Sequence, residues 1–256
     1  LLGQSDEPRY VDDDEVLDAL QNALRNGDSN AVVRIRYLPT TYSVESGVYG
    51  FGISRRTGLP FGQIDNVNPG VDWNVLSIGQ EINLPSRDIV MPLPPVEHKR
   101  IVVDLDRLYL VGFENGEVAF HWPVSSGRSD APTYPGIYQI LSKDGTAYGS
   151  GFSLCGEGGA CAQWEMDYFM SIYEVGPGLM NGFHGAVRLP NGAFLDGGSQ
   201  QVRSTFGCVM SDNSQAEQLY EWAEEGIVVE IVSQEFPPES DLGRAAIQFI
   251  DSLQQA

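Results

Sequence analysis

Basic residues are scarce in this chain. It contains 15 lysine and arginine residues against 35 aspartate and glutamate residues, which gives a formal net charge of −20 at pH 7. Lys99 and Lys143 are the only lysines. A chain of this charge cannot displace the counterions of a phosphate backbone, which argues strongly against a nucleic-acid-binding surface. The acidity fits attraction of ligands that carry amino groups, or solubility alone.

Long apolar runs are also lacking, and no stretch approaches the length needed to cross a bilayer. The sequence begins Leu1-Leu2-Gly3-Gln4 without a methionine. We therefore expect that a signal peptide or lipoprotein leader has been removed, although a cloning boundary would look the same.

Cysteine is limited to three residues. Cys155 and Cys161 lie in one glycine-rich loop and can form a bridge in an oxidising compartment, which would leave Cys208 as a free thiol. A buried cysteine that acts as a small apolar residue is the alternative. Because the sequence has no H-E-x-x-H, Cys-x-x-Cys or Walker motif, we expect neither a metal nor a cofactor.

Only three histidines can serve as the base that a thiol nucleophile requires. His98 stands in a basic, proline-flanked linker, and His121 alternates with aromatic residues in a strand. His184 and Cys208 each lie beside a glycine, where a backbone can approach a ligand closely. They are the best candidate pair of base and nucleophile.

Periodicity and turn residues predict an α+β fold that is mainly β. Helices are expected at 12–26 and 213–224, a weak amphipathic helix beyond Pro238, and a hairpin turn at Asn115-Gly116. The expected segments are an N-terminal helix and strand (1–39), a compact unit (40–85), a proline-rich linker (86–98), a strand-rich domain (99–235) and a C-terminal tail (236–256).

Ordered motifs between residues 99 and 233 resemble the L,D-transpeptidase (YkuD) family. The segments PVSSG at 123–127 and PTYPG at 132–136 are similar to the family's hallmark pair. GFHG at 182–185 resembles its His-Gly motif, and TFGCV at 205–209 resembles its Ser/Thr-His-Gly-Cys motif. The resemblance implies a mainly β, sandwich-like catalytic domain and a secreted, extracytoplasmic transferase of cell-wall biogenesis.

The resemblance also implies a mechanism. Cys208 would attack a peptidoglycan stem tetrapeptide after its third residue and form a thioester, while His184 would accept the thiol proton and later protonate the leaving amine. The Gly185 carbonyl would orient the imidazole. The acyl group would then pass to an amine acceptor, or to water in an L,D-carboxypeptidase. The resemblance further implies peptidoglycan stem peptides and glycan strands as partners, and a membrane would be reached only through a leader or anchor.

Further site residues follow from the same resemblance. The amides of Gly207 and Cys208 are candidates for the oxyanion hole, flanked by Thr205 and Phe206. Three more residues fall where the family lines its substrate groove, although ordinary strand core explains them equally well: Trp164, Met166 and Tyr168.

One departure from the family stands next to the nucleophile. The family's second histidine, two residues before the cysteine, is Phe206 here. Its loss is compatible with a retuned pocket or with a decayed domain that only binds the cell wall. Retention of Cys208, His184 and Gly185 together favours activity.

The front unit, 40–85, resembles a LysM domain. YSVESG at 42–47, IDNVNP at 64–69 and LSIGQEINLP at 76–85 match its start, middle and end, whereas its usual Gly-Asp-Thr is Gly47-Val48-Tyr49. The resemblance implies a small βααβ domain that binds glycans containing N-acetylglucosamine, or a degenerate copy that serves as a spacer.

Overall fold

The computed structural model describes residues 9–155, 161–195 and 200–254, and strands predominate in it. The strands are β1 (Arg9–Val11), β2 (Ile35–Tyr37), β3 (Thr40–Ser43), β4 (Glu81–Leu84), β5 (Val96–Asp104), β6 (Tyr109–Glu114), β7 (Glu117–Pro123), β8 (Ser126–Gly127), β9 (Gly136–Gln139), β10 (Ser142–Cys155), β11 (Cys161–Gly176), β12 (Leu179–His184), β13 (Arg203–Thr205), β14 (Val209–Met210) and β15 (Ile227–Val232). The helices are α1 (Asp13–Asn26), α2 (Gly50–Thr57), α3 (Phe61–Asn66), α4 (Asn213–Trp222) and α5 (Asp241–Gln254), with a 3₁₀ turn at Arg87–Val90.

A five-stranded sheet in the order β7-β6-β5-β15-β9 forms one layer of the C-terminal part. Its central pair, β5 and β15, is parallel, and its other neighbours are antiparallel. Ile101 and Val103 point into the main core, while Val102 packs with Ala246 and Ile250 of α5 on the opposite face. Because both faces are covered, β5 carries consecutive apolar residues instead of an alternating pattern.

A second sheet, in the order β10-β11-β12-β14, carries the candidate site. β10 and β11 form a long antiparallel hairpin, and β12 continues it. β14 pairs parallel to β12, and between these two strands in the chain β13 pairs in parallel with β8 in a separate two-stranded sheet. Met170, Phe183 and Val209 point from this sheet into the main core.

The front unit has its elements in the order β-α-α-β. β3 and β4 pair antiparallel, from Thr40 opposite Leu84 to Ser43 opposite Glu81, and α2 and α3 lie between them in the chain. Its buried residues belong to the same continuous hydrophobic core as those of the two large sheets. The rings of Phe51 and Tyr134, one from each part, lie 6.2 Å apart. The front unit is therefore packed onto the C-terminal part.

The segment expected to be an extended linker, 86–98, is packed as well. It contains the 3₁₀ turn, in which Val90 is buried, and the backbone of Leu93 exchanges hydrogen bonds with the Gln139 side chain (2.9 and 2.8 Å). β5 begins at Val96, three residues before the expected domain start at 99.

Two helices and one turn expected from the sequence are present in the structure. Helix α1 runs from Asp13 after an Asp12 cap, the turn at Asn115-Gly116 joins β6 to β7, and the weakly amphipathic tail is the full helix α5. Cys155 and Cys161 are register partners in β10 and β11, and the question of a bridge between them concerns side chains that lie outside the described residues. In the described part of the chain, no helix is both long and apolar enough to traverse a membrane.

The buried Glu230 carboxylate generates a stability prediction. It accepts hydrogen bonds from Arg100 Nη2 (2.9 Å), the Ser240 hydroxyl and the amides of Glu239 and Ser240 (2.8 and 3.1 Å), and so ties β15 to the start of α5. We expect Glu230→Ala to lower the free energy of unfolding by about 3 kcal/mol, because it leaves Arg100 and two amides unpaired.

Urea unfolding followed by circular dichroism measures this loss. The exposed Glu225 provides the control, since Glu225→Ala should change the free energy of unfolding by less than ~0.5 kcal/mol. Equal midpoints for the two variants would contradict the prediction.

Candidate active site

His184 and Cys208 are brought together by the parallel pairing of β12 and β14. Phe183 is the register partner of Val209, and His184 is the partner of Met210. Cys208 immediately precedes β14. The candidate base therefore ends one strand, and the candidate nucleophile stands just before the neighbouring strand.

The tautomer of His184 is fixed by its own loop. Nδ1 lies 2.6 Å from the Gly185 carbonyl oxygen, and because a carbonyl can only accept, Nδ1 must carry the proton. Nε2 is then left with a free lone pair, as a general base requires. The Gly185 amide donates to Asp167 O (2.8 Å), and Phe169 stacks on the imidazole at 6.4 Å between ring centres.

Both groups are buried, and burial moves both pKa values toward the neutral forms. It lowers the pKa of His184 to about 4, an effect that the Gly185 carbonyl partly opposes. It raises the pKa of Cys208 to about 11, an effect that the Gly182 amide partly opposes. At neutral pH the site therefore rests as a thiol and a neutral imidazole, without a preformed thiolate–imidazolium pair.

The thiol makes its hydrogen bond to Asn181, whose Oδ1 lies 3.6 Å from Sγ. The Asn181 Nδ2 atom in turn donates to the Tyr173 hydroxyl (3.3 Å). Among the contacts of the described residues, the thiol and the imidazole share no hydrogen bond. Sγ must therefore leave Asn181 before it can pass its proton to His184.

Two threonines brace the loop that carries the thiol. Thr205 Oγ1 donates to the Cys208 carbonyl (2.7 Å), and Thr133 Oγ1 donates to the Gly207 carbonyl (2.9 Å) while accepting from the Gly127 amide. Gly207 has φ +108°, and a Cβ at this position would lie 2.2 Å from Asn181 Nδ2. Only glycine fits this backbone and this close approach.

The two oxyanion candidates differ. The Gly207 amide already donates to Thr205 Oγ1 (3.3 Å). The Cys208 amide is therefore the stronger candidate of the pair in this state.

Two of the three predicted groove residues, Trp164 and Met166, meet Phe206 in one apolar cluster. Phe206 stacks on Trp164 with ring centres 5.8 Å apart, and Met166 packs against the same cluster. The Arg128 guanidinium lies over the Phe206 ring, 4.5 Å from its centre. Tyr168 lies apart: its backbone has φ +59°, and its ring approaches Tyr220 of α4 at 6.1 Å.

Residue-type reasoning missed Asn181, and it gave Thr133 no role of its own. Asn181 stands three residues before His184, where only its polar character in a buried strand could have marked it. Within the described ranges, no three or more His, Cys, Asp or Glu side chains gather as metal ligands would.

Residues 98–231, just over half of the 256-residue chain, match the YkuD family, the L,D-transpeptidase catalytic domain. The chain belongs to this family. No curated protein matches it significantly.

Several solved structures are similar to the chain. The L,D-transpeptidase from Mycobacterium smegmatis is 18% identical over 61% of this chain and 64% of that one, with a TM-score of 0.44. The Enterococcus faecium L,D-transpeptidase is 23% identical over 54% and 50%, with a TM-score of 0.40. The Stackebrandtia nassauensis L,D-transpeptidase is 20% identical over 55% and 58%, with a TM-score of 0.41. This chain spans 50–64% of the length of these structures, and the family assignment depends on the sequence match alone.

The high thiol pKa generates a reactivity prediction. Because the thiolate is the reactive form, the rate of alkylation of Cys208 by iodoacetamide should rise about tenfold per pH unit between pH 7 and 10. Peptide mapping by mass spectrometry separates Cys208 from the other two cysteines.

The same chain unfolded in urea is the control, since its rate should level off above pH ~8.5. A native-state plateau below pH 8 would mean that the site rests as an ion pair, contrary to this prediction.

Proposed function

We propose that this chain is a peptidoglycan L,D-transpeptidase with Cys208 as nucleophile and His184 as base. The observation that carries the proposal is the Nδ1 hydrogen bond to Gly185, which leaves Nε2 able to accept a proton on the strand next to the thiol. Membership in the YkuD family supplies the substrate class, because members act on cell-wall peptidoglycan outside the cytoplasm. We accordingly place the protein in the cell wall, the periplasm or the secreted fraction.

The reaction starts from a neutral pair. As Sγ attacks the carbonyl carbon after the third stem residue, its proton passes to His184 Nε2 and the carbonyl oxygen becomes an oxyanion near the Cys208 amide. Collapse of this intermediate breaks the peptide bond, and the imidazolium returns its proton to the leaving amine. A thioester on Cys208 remains.

The second half repeats these steps in reverse. An acceptor amine gives its proton to His184 Nε2 and attacks the thioester, and the thiol leaves with the proton restored. With water as acceptor the same site would be an L,D-carboxypeptidase. The stacked rings of Trp164 and Phe206, with Met166 beside them, form an apolar wall for the stem peptide next to the thiol.

A decayed, wall-binding domain is the second candidate. Two observations favour it: the thiol bonds to Asn181 instead of His184, and Phe206 replaces the family's auxiliary histidine. Its predicted behaviour differs, because an inert thiol forms no acyl-enzyme.

Incubation with meropenem and intact-mass measurement tests the two candidates. We expect one stoichiometric adduct on the native chain and none on Cys208→Ala. The second-order acylation rate constant should fall only as the pH drops through about 4, because His184 is neutral above that value.

The product decides the acceptor. Incubation with a stem tetrapeptide should give cross-linked dimers detected by mass spectrometry, whereas tripeptide alone would identify the carboxypeptidase. A folded protein that forms no adduct at any pH would overturn the proposed activity and leave the decayed domain.

For the front unit, we propose that residues 40–85 form a LysM domain that holds the glycan strand. Its β-α-α-β order supports this, as does the buried Asn68, which bonds the backbone of Ile64 (2.7 Å) and of Asn83 (2.8 and 2.9 Å) and so joins α3 to β4. The exposed Tyr49 ring is suited to stack on a sugar.

Binding of chitopentaose, measured by isothermal titration calorimetry, tests the glycan-binding role. We expect Tyr49→Ala to weaken binding about tenfold, the loss typical of one stacking contact. Tyr148 of β10 is similarly exposed (61% against 57%), so Tyr148→Ala is the matched control and should leave binding unchanged. Absence of binding by the native chain would instead support a spacer.

A further inference from the structure

The peptide unit between Gly185 and Ala186 is hydrogen-bonded at both ends. Its carbonyl oxygen accepts from His184 Nδ1 at 2.6 Å, and its N–H donates to Asn213 Oδ1 at 2.9 Å. Asn213 and His184 are thus joined through a single amide group. An amide whose N–H is engaged in this way is a stronger acceptor at its oxygen, because hydrogen bonds in a chain polarise one another.

The approach of Asn213 depends on Gly185. A Cβ at Gly185 would lie 2.4 Å from Asn213 Oδ1, far inside contact distance. The absence of a side chain at this position therefore permits the hydrogen bond to the Ala186 amide.

Among the hydrogen bonds of the described residues, the Asn213 side chain takes part only in the one to the Ala186 amide. Asn213 is the first residue of α4, but the capping carboxylate belongs to Asp212, which accepts from the Gln215 amide at 2.9 Å. The Ser211 amide donates to the His184 carbonyl (3.0 Å), which fixes the helix start to the end of β12. The Asn213 side chain is therefore available to accept from the Ala186 amide, and the position of the helix start fixes its distance from that amide.

We propose that Asn213 is a positioning residue that, through the Gly185–Ala186 peptide, holds His184 in the tautomer with its proton on Nδ1. It takes the place that a third, orienting side chain has in other nucleophile–base sites, with one peptide group interposed. This inference rests on the proposed function for its catalytic meaning, whereas the tautomer itself is a property of the resting protein.

A simple tether is the alternative role. A tether would fix the 185–187 loop to α4, but a substitution at residue 213 would then not change which ring nitrogen of His184 carries the proton. The two roles are separated by a measurement on the ring itself. Burial and the Gly185 carbonyl are the influences on the His184 pKa found among the described residues. A charge introduced at position 213 should therefore produce a measurable further change in this pKa.

Nitrogen-15 NMR of the histidine rings in the full chain is the decisive experiment. The three histidines, His98, His121 and His184, give three ring spectra, and the shifts distinguish protonated from bare ring nitrogens. We expect His184 to show a single Nδ1–H tautomer in the native chain and a mixture of tautomers in Asn213→Ala. The rate constant for meropenem acylation should fall about tenfold with no change in the initial binding constant.

Asn213→Asp provides the conservative rescue. It keeps an acceptor oxygen and adds a negative charge that favours the imidazolium, so the single tautomer should persist and the acid limb of acylation should move to higher pH. The exposed Gln218 on the same helix gives the matched control, and Gln218→Ala should change neither readout.

An unchanged tautomer and rate in Asn213→Ala would overturn the proposal in favour of a tether. If Asn213→Ala fails to fold, Asn213→Asp provides the test. The proposal is overturned if the pH at which the acylation rate constant falls is no higher in Asn213→Asp than in the native chain. A native chain that forms no adduct would overturn the proposed function, while the tautomer spectra would still decide the role of Asn213.

Discussion

The hydrogen bond between His184 Nδ1 and the Gly185 carbonyl determines what the buried site can do. The bond holds the proton on the nitrogen that faces the loop and leaves the other nitrogen as a base. The loop geometry that supplies this carbonyl depends in turn on β11, through Asp167, and on α4, through Asn213. The position of the proton on His184, at the end of β12, thus depends on contacts with two further elements, β11 and α4.

Burial makes the formation of charge on His184 and Cys208 unfavourable. A thiol with its pKa near 11 beside an imidazole with its pKa near 4 strongly disfavours separated charges at rest. In the proposed reaction, charge would therefore appear only as the substrate is attacked, when fixed dipoles could stabilise the oxyanion and the imidazolium in a site from which a bound stem peptide would exclude water. The resting contact of Cys208 with Asn181 is consistent with such a site, in which the nucleophile stays protonated until a substrate arrives.

Sequence reasoning succeeded where the information is local and failed where it is not. The turn at Asn115-Gly116 and the start of α4 follow from residue types, and the motifs recognised between residues 99 and 233 correspond to the family match at 98–231. The contact between Thr133 and Gly207 spans 74 positions, and the left-handed backbone of Tyr168 turns a predicted groove residue toward α4. Neither has a signature within its own segment. The proline-rich stretch 86–98 resembles a linker in composition, yet Val90 and Leu93 are packed by residues far along the chain.

The shared core of the front unit and the catalytic sheets sets the reach of the proposed enzyme. Two domains on a flexible tether sample many separations, and the effective concentration of the second site spreads over all of them. Here the Phe51 ring lies 6.2 Å from the Tyr134 ring and Arg55 pairs with Glu235, so the front unit is packed against the catalytic sheets. A glycan strand bound to the front unit, as proposed, would present its stem peptides at one fixed distance from Cys208. Such a protein would select stem peptides by their spacing along the glycan strand as well as by their chemistry.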